Sequence, residues 1–134
     1  MRLLWRIEHS LQSRSKQMKA AIGVTGPQRL VLRIVDRYPG LSAGELARII
    51  RLHPSTITGV VQRLVEKRLL AREGDRVDRR RLQLRVRPAA KRYTRRSDGT
   101  IEAAVAAVLS RIPVAHVGHT RTVLAAIAGA LEAN

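Results

Sequence analysis

Apolar residues recur over the first twenty-two positions as Leu4, Ile7, Leu11, Met18 and Ile22, a helical spacing interrupted at Arg14. The spacing predicts one amphipathic helix over residues 2–22 with a single apolar seam. A basic helix of this kind lies on a membrane surface in some proteins, and against a core or a partner helix in more of them. The stretch VTGPQ follows, with Thr25 as an N-cap and Pro27 in the first helical turn, where its missing N–H costs nothing. Leu30, Ile34 and Val35 then form the apolar face of a short helix that Pro39-Gly40 ends. Ser42, with Glu45 three residues on, has the spacing of a capping box, and Leu46, Ile49 and Ile50 are expected to be the buried face of the helix it opens. RLHP breaks that helix. Ser55 and Thr56 follow Pro54 and can cap the next one, expected to run to about Leu69. Ile57, Val61 and Leu64 point one way on it, and Ser55, Thr56, Thr58, Gly59, Gln62, Arg63 and Glu66 occupy the rest. Two short helices joined by a tight break, the second polar at its N-terminal end, form the helix-turn-helix pattern.

The period then changes. Leu70 to Glu73 is short and extended in character, GDRVDR is turn-rich, and Leu82, Leu84 and Val86 alternate with Gln83, Arg85 and Arg87. Period-two alternation is a strand with one buried face, so the two strands and the Arg-rich loop between them make a β-hairpin, or wing. Pro88 ends it. The chain from there to Leu109 reads as helical and Ala-rich, loosened or bent at Asp98-Gly99, and Pro113 and Gly118 interrupt again. A last helix presents Val123, Leu124, Ile127 and Leu131 at helical spacing. The expected fold class is mainly α with a small β-hairpin: a winged helix-turn-helix with helical extensions at both ends.

With 134 residues and 45% hydrophobic composition, the chain is expected to be one domain with a real core. Cysteine is absent, which excludes disulfides, thiol redox sensing and thiolate metal sites. Arginine punctuates nearly every apolar stretch and the N-terminus has no signal-peptide core, so a soluble, cytoplasmic protein without membrane partners is expected. The formal net charge is +16, and its distribution is uneven. Residues 1–24 hold +4, residues 100–134 hold 0, and residues 72–96 carry eleven basic against three acidic side chains. A block of that kind is an electrostatic footprint for a polyanion, and nucleic acid is the commonest one. Arginine-rich genome composition would raise the total but not leave the C-terminal quarter neutral. Readers of single strands and RNA stack bases on aromatic side chains. This chain has no Phe, and only Trp5, Tyr38 and Tyr93, so double-stranded DNA is the better match.

The stretch from Val24 to Arg92 resembles the MarR family of bacterial transcriptional regulators. The resemblance is most specific in STITGVVQRLVEKRLLAR, which begins at Ser55, and in the Asp78-Arg79-Arg80 wing. Two departures stand out. Leu69 occupies the position after Glu-Lys-Arg where members generally have Gly, so the left-handed turn ending the helix would need a less willing residue. Val86-Arg87-Pro88-Ala89-Ala90 replaces the usual Leu-Thr-x-x-Gly, which removes a threonine cap that Pro88 replaces only in part. The resemblance implies a division into an N-terminal dimerisation helix (1–24), a DNA-binding lobe (25–87) and C-terminal dimerisation helices (88–134). It further implies a homodimer on a pseudo-palindromic operator, probed by one recognition helix per half-site, and a possible small-molecule effector bound between dimer helices and DNA-binding lobes. Repression is the expected output.

By that resemblance the helix beginning near Ser55 enters the major groove. Ser55, Thr56, Thr58 and Gly59 lie on its first turns, where a backbone can approach DNA closely, and close approach would explain a mid-helix Gly that costs up to about 1 kcal/mol against Ala. A solvated position that simply tolerates Gly is the plainer alternative. Gln62 and Arg63 are long enough to reach base edges, Gln to adenine and Arg to guanine, or else contact phosphate only. In the wing, the resemblance implies that Arg80 enters the minor groove while Asp78 orients its guanidinium. A narrow A·T-rich minor groove concentrates negative potential and attracts Arg on physical grounds alone. Arg76, Arg79 and Arg81 are expected to contact phosphates, carrying affinity without sequence. His116 and His119 in HVGH could share a metal, but no Cys and no nearby carboxylate completes a site. His53 is expected to make a local or phosphate contact. No nucleophile, base and orienter are arranged together and no Gly-rich phosphate loop is present, so neither an enzyme nor a cofactor is expected. A sequence-nonspecific architectural DNA-binding protein with the same fold is the alternative. A protein- or membrane-binding adaptor using the first helix is a third.

Overall fold

The computed structural model describes residues 1–74, 82–95 and 97–133. Their order is α1 (Arg2–Ile22), α2 (Gly26–Arg37), α3 (Ala43–Ile50), α4 (Pro54–Glu66), β1 (Leu70–Gly74), β2 (Leu82–Val86), a 3-10 turn (Pro88–Ala90), α5 (Lys91–Thr94), α6 (Ile101–Leu109) and α7 (Val114–Glu132). They fall into two compact units, Met1–Ile101 and Glu102–Asn134.

In the first unit, local chemistry sets the helix starts. The Thr25 side chain accepts from Gln28 N–H while the Gln28 side chain accepts from Thr25 N–H, and Ser42 and Glu45 repeat the exchange at α3. Each box satisfies backbone donors that a helix N-terminus otherwise leaves without partners. The core is built from Val24, Val31, Leu32 and Val35 around α2, Leu46 and Ala47 of α3, Ile57, Val61 and Leu64 of α4, and Leu69, Leu70, Leu84, Ala90 and Tyr93 beyond. Several expected faces are rotated. On α2 the buried residues are Val31, Leu32 and Val35, whereas Leu30 is exposed and Ile34 only half-buried. On α3 Ala47 goes inward with Leu46, and Ile49 is 50% exposed.

Helix α2 runs through the middle of the unit, touching α1, α3, α4, α5 and β2, so it buries polar side chains too. Arg29 is 1% exposed, and its guanidinium donates to the carbonyls of Tyr93 and Arg95 at the end of α5. These are charge-assisted bonds, the kind a buried cation requires. On the outer side of the same pair of helices, Lys91 hydrogen-bonds Asp36.

Strands β1 and β2 form the expected hairpin, pairing antiparallel with Leu70 opposite Val86 and Gly74 opposite Leu82. Leu84 is buried and Val86 half-buried, but Leu82 is 52% exposed because the hairpin there has run past the core. The hairpin is anchored to the α2–α3 connection: Gly40 N–H donates to Leu84 O and Leu84 N–H to Leu41 O. Gly40 sits at φ 92, a conformation open to Gly at little cost. Pro88 opens the 3-10 turn, and no side chain caps it, as the lost threonine implied. Asp98-Gly99 separates α5 from α6 outright rather than bending one helix, with Gly99 at φ 75.

In the second unit α7 begins at Val114, directly after Pro113, and runs without interruption through Gly118. Neither α6 nor α7 contains a buried residue. Among the described residues no helix is long and apolar enough to cross a membrane.

Candidate nucleic-acid interface

Helices α3 and α4 end in the same way. Arg51 has φ 55, its N–H reaching Arg48 O and that of Leu52 reaching Ala47 O. Arg68 has φ 56, with its N–H on Val65 O and that of Leu69 on Leu64 O. Both patterns are Schellman stops, in which a left-handed residue lets two terminal carbonyls be satisfied. The second revises the sequence reading. The left-handed position is Arg68, one residue before Leu69, and Leu69 is free to bury itself beside Leu64. Helix α4 accordingly ends at Glu66, not near Leu69.

Its start is also different. The N-cap is His53, whose Nδ1 accepts from Ser55 N–H and lies 2.7 Å from Ser55 Oγ. Ser55 and Thr56 are therefore first-turn residues rather than caps. Pro54 at the first helical position makes the residue before it the cap, a signal the sequence contained.

Between these ends Ile57, Val61 and Leu64 are buried, fixing the direction of the core. At 100° per residue the opposite direction is the line Ser55, Gly59, Gln62 and Glu66. Thr58 flanks it on one side, Thr56 and Arg63 on the other. Ser55, Thr56, Thr58, Gln62 and Arg63 are exposed and Gly59 half-exposed, so α4 brings all six expected base-side residues onto one outward surface. Three are already engaged within the chain. Ser55 pairs with His53, Thr58 Oγ1 donates to Pro54 O at 2.9 Å, and Gln62 Nε2 donates to Glu66 Oε1 at 3.0 Å. A Cβ built on Gly59 would meet nothing within 4 Å.

Arg76, Asp78, Arg79, Arg80 and Arg81 lie outside the described residues. The strands leading to them are described, and at their base Glu73 pairs with Arg85 at 2.9 Å.

Beside α4 opens a groove of about 430 Å³ between the end of α1, α2, the end of α3 and α4. Leu30, Val31, Ile57 and Val60 contribute apolar surface, and Lys19, Arg63 and Lys67 are cations along it. Lys67 Nζ also donates to Gly23 O at 2.6 Å, joining the end of α4 to the end of α1. Neither the groove nor this bond was anticipated, since their parts lie far apart in sequence. His116 and His119 stand exposed on α7, and among the described residues no three His, Cys, Asp or Glu cluster as metal ligands would.

A family model described as MarR family matches residues 22–81, from the end of α1 into the wing. The HTH-type transcriptional repressor Rv2887 of Mycobacterium tuberculosis is 28% identical over 110 residues, covering 82% of this chain and 79% of the relative. The PcaV transcriptional regulator of Streptomyces coelicolor, solved with its natural ligand, superposes with a TM-score of 0.78 at 26% identity, covering 96% of this chain and 91% of that one. The DNA complex of S. aureus MepR gives the same TM-score at 17% identity, over 96% and 95% of the two chains, a likeness of fold alone. The sequence match spans the helix-turn-helix and the structural likeness nearly the whole chain, so this chain is similar to MarR-family transcriptional regulators and shares their winged helix-turn-helix fold.

Proposed function

We propose that the protein is a cytoplasmic repressor that binds a pseudo-palindromic operator as a homodimer, each α4 lying in a major groove. The observation that carries this reading is the outward line of α4. It is polar at Ser55 and Gln62, flanked by Thr58 and Arg63, and has no side chain at Gly59, where nothing among the described residues fills the space. A glycine in open space gains nothing from its own fold, and a close-approaching double helix accounts for it. On this reading Gln62 and Arg63 reach base edges, and the wing loop carries Arg80 to the minor groove with Asp78 orienting it. Arg76, Arg79 and Arg81 contact phosphates.

The dimer is supported by what the single chain leaves uncovered. Trp5 and Ile7 of α1, Val105 and Val108 of α6, and Val123 and Leu124 of α7 are all large apolar side chains about half exposed or more. Apolar exposure on that scale, on α6 and α7, which contain no buried residue, and on α1, which buries only Met18, is the kind that marks association surfaces. Residues 1–24 and 88–134 would then serve dimerisation and 25–87 DNA binding. An effector would also fit: Rv2887 has been solved with salicylic acid and with p-aminosalicylic acid. The groove beside α4 sets Lys19, Arg63 and Lys67 next to apolar surface, the chemistry an aromatic carboxylate needs. Occupancy there would engage Arg63, a base-reading residue, and so weaken DNA binding.

The test is selection of bound fragments from a random duplex library by the purified protein, at near-physiological salt with excess competitor DNA. Enrichment of an inverted repeat with half-sites roughly ten base pairs apart is expected. Enrichment of A·T content without a repeat would instead favour architectural, sequence-nonspecific binding.

A further inference from the structure

Glu66 is a carboxylate in a place that electrostatics disfavours twice. It is the last residue of α4, where the negative end of the helix dipole repels an anion. It also lies on the outward line of that helix, facing a polyanion in any DNA complex. Its compensating contact on the outward line is with Gln62, whose Nε2 donates to Glu66 Oε1 at 3.0 Å.

That contact has a chemical consequence. An ionised carboxylate can only accept, so it holds the amide nitrogen of Gln62, never its oxygen. The carboxamide of an unconstrained Gln turns over freely and offers its two ends in either order. Held by Glu66, Gln62 keeps Oε1 turned away as an acceptor, with its second N–H as a donor. One acceptor beside one donor matches adenine, which offers N6–H and N7 in the major groove. Guanine offers two acceptors, N7 and O6, and would set O6 against Oε1.

We propose that Glu66 is a positioning residue for base reading: by fixing the Gln62 carboxamide it makes Gln62 select adenine over guanine at one position of each half-site. The inference rests on α4 being the base-contacting helix.

The experiment is duplex-library selection with the full-length protein and with Glu66→Gln, Glu66→Ala, Gln62→Ala and the double variant Gln62→Ala/Glu66→Ala. Competition titrations then use two duplexes differing only at the base pair that Gln62→Ala relaxes. Glu66→Gln keeps the side-chain length but can donate as well as accept, so it frees the amide to turn. The expected result is that the unaltered protein prefers adenine there by roughly tenfold, the scale of one bidentate contact. Glu66→Gln and Glu66→Ala should reduce that preference several-fold with the rest of the site unchanged and the melting temperature not lowered, and the double variant should equal Gln62→Ala. A preference at that position unchanged in Glu66→Gln and Glu66→Ala overturns the proposal and leaves the role of α4 standing. So does a loss caused by Glu66→Ala that persists in the Gln62→Ala background, since Glu66 would then act on the base itself. Selection of no defined site by the unaltered protein overturns the reading of α4 and this proposal together.

Discussion

Replacing Gly59 with Ala separates what the fold wants from what DNA binding wants. Gly59 is an interior residue of the α4 helix, and a Cβ at that position meets nothing within 4 Å. With no clash to offset it, the substitution should deliver nearly the full helix-propensity difference, about 0.8–1 kcal/mol in favour of Ala. For a chain between the size classes usually tabulated, that is a rise in melting temperature of roughly 3–5 °C at fixed protein concentration. Binding should move the other way. If the backbone at Gly59 is the point of closest approach, an added methyl must push the helix out of a packed interface, a cost of about 1–3 kcal/mol. Converted at 1.4 kcal/mol per decade, this is roughly five- to more than a hundredfold in Kd for a selected operator. The assays are a thermal melt by circular dichroism and a titration of labelled operator at fixed salt. A higher melting temperature with unchanged Kd would refute close approach and leave Gly59 a tolerated solvated residue. A lower melting temperature would refute the open-space reading itself.

Three other substitutions follow from the geometry. Arg68→Gly should stabilise by about 0.5–1 kcal/mol, because a left-handed conformation costs a residue with a Cβ roughly 1–2 kcal/mol and part of the gain is offset by glycine's unfolded-state entropy; Arg68→Ala, which removes the charge but keeps the Cβ, should give no such gain in urea melts. The Lys91 and Thr94 hydrogen bonds hold the Asp36 carboxyl below its ordinary value near 3.8, so its contribution is complete above that pH and fades as pH falls through the lowered value; urea midpoints measured from pH 6 down to 3 should fall less steeply in Asp36→Asn. Leu124→Glu places a charge on an exposed apolar face of α7; if the protein is the proposed homodimer, by sedimentation it should shift from twice the 14.9 kDa chain mass towards the single chain, while its melting profile at high concentration shows whether the first unit survives.

What the sequence made legible was local. The ends of α1, the cap at Thr25, the box at Ser42, the buried line of α4 and the hairpin all depend on residues within one turn or one strand pair. Where it misled, distant packing decided. Helix α2 is packed on several sides at once, so its apolar residues are not confined to one stripe, and Leu30 took a place in the pattern that Val31 and Leu32 hold in the fold. In α7 small and apolar residues are spread around the helix, so Gly118 read as an interruption although neighbours of high helix propensity carry the helix through it. The α4 surface was legible in its membership but not in its pairings: the Gln62–Glu66 bond follows from an i, i+4 spacing that was visible, while the Lys67–Gly23 bond spans 44 residues and was not.

The buried Arg29 bears on how the chain can be divided and how it is made. Two of the carbonyls that receive its guanidinium belong to Tyr93 and Arg95, 64 and 66 residues further along. A nascent chain released at Arg87 would contain the whole helix-turn-helix and both strands of the wing, yet would have to bury that cation before those two acceptors exist. A minimal DNA-binding fragment therefore has to extend through residue 95 to keep both of these bonds.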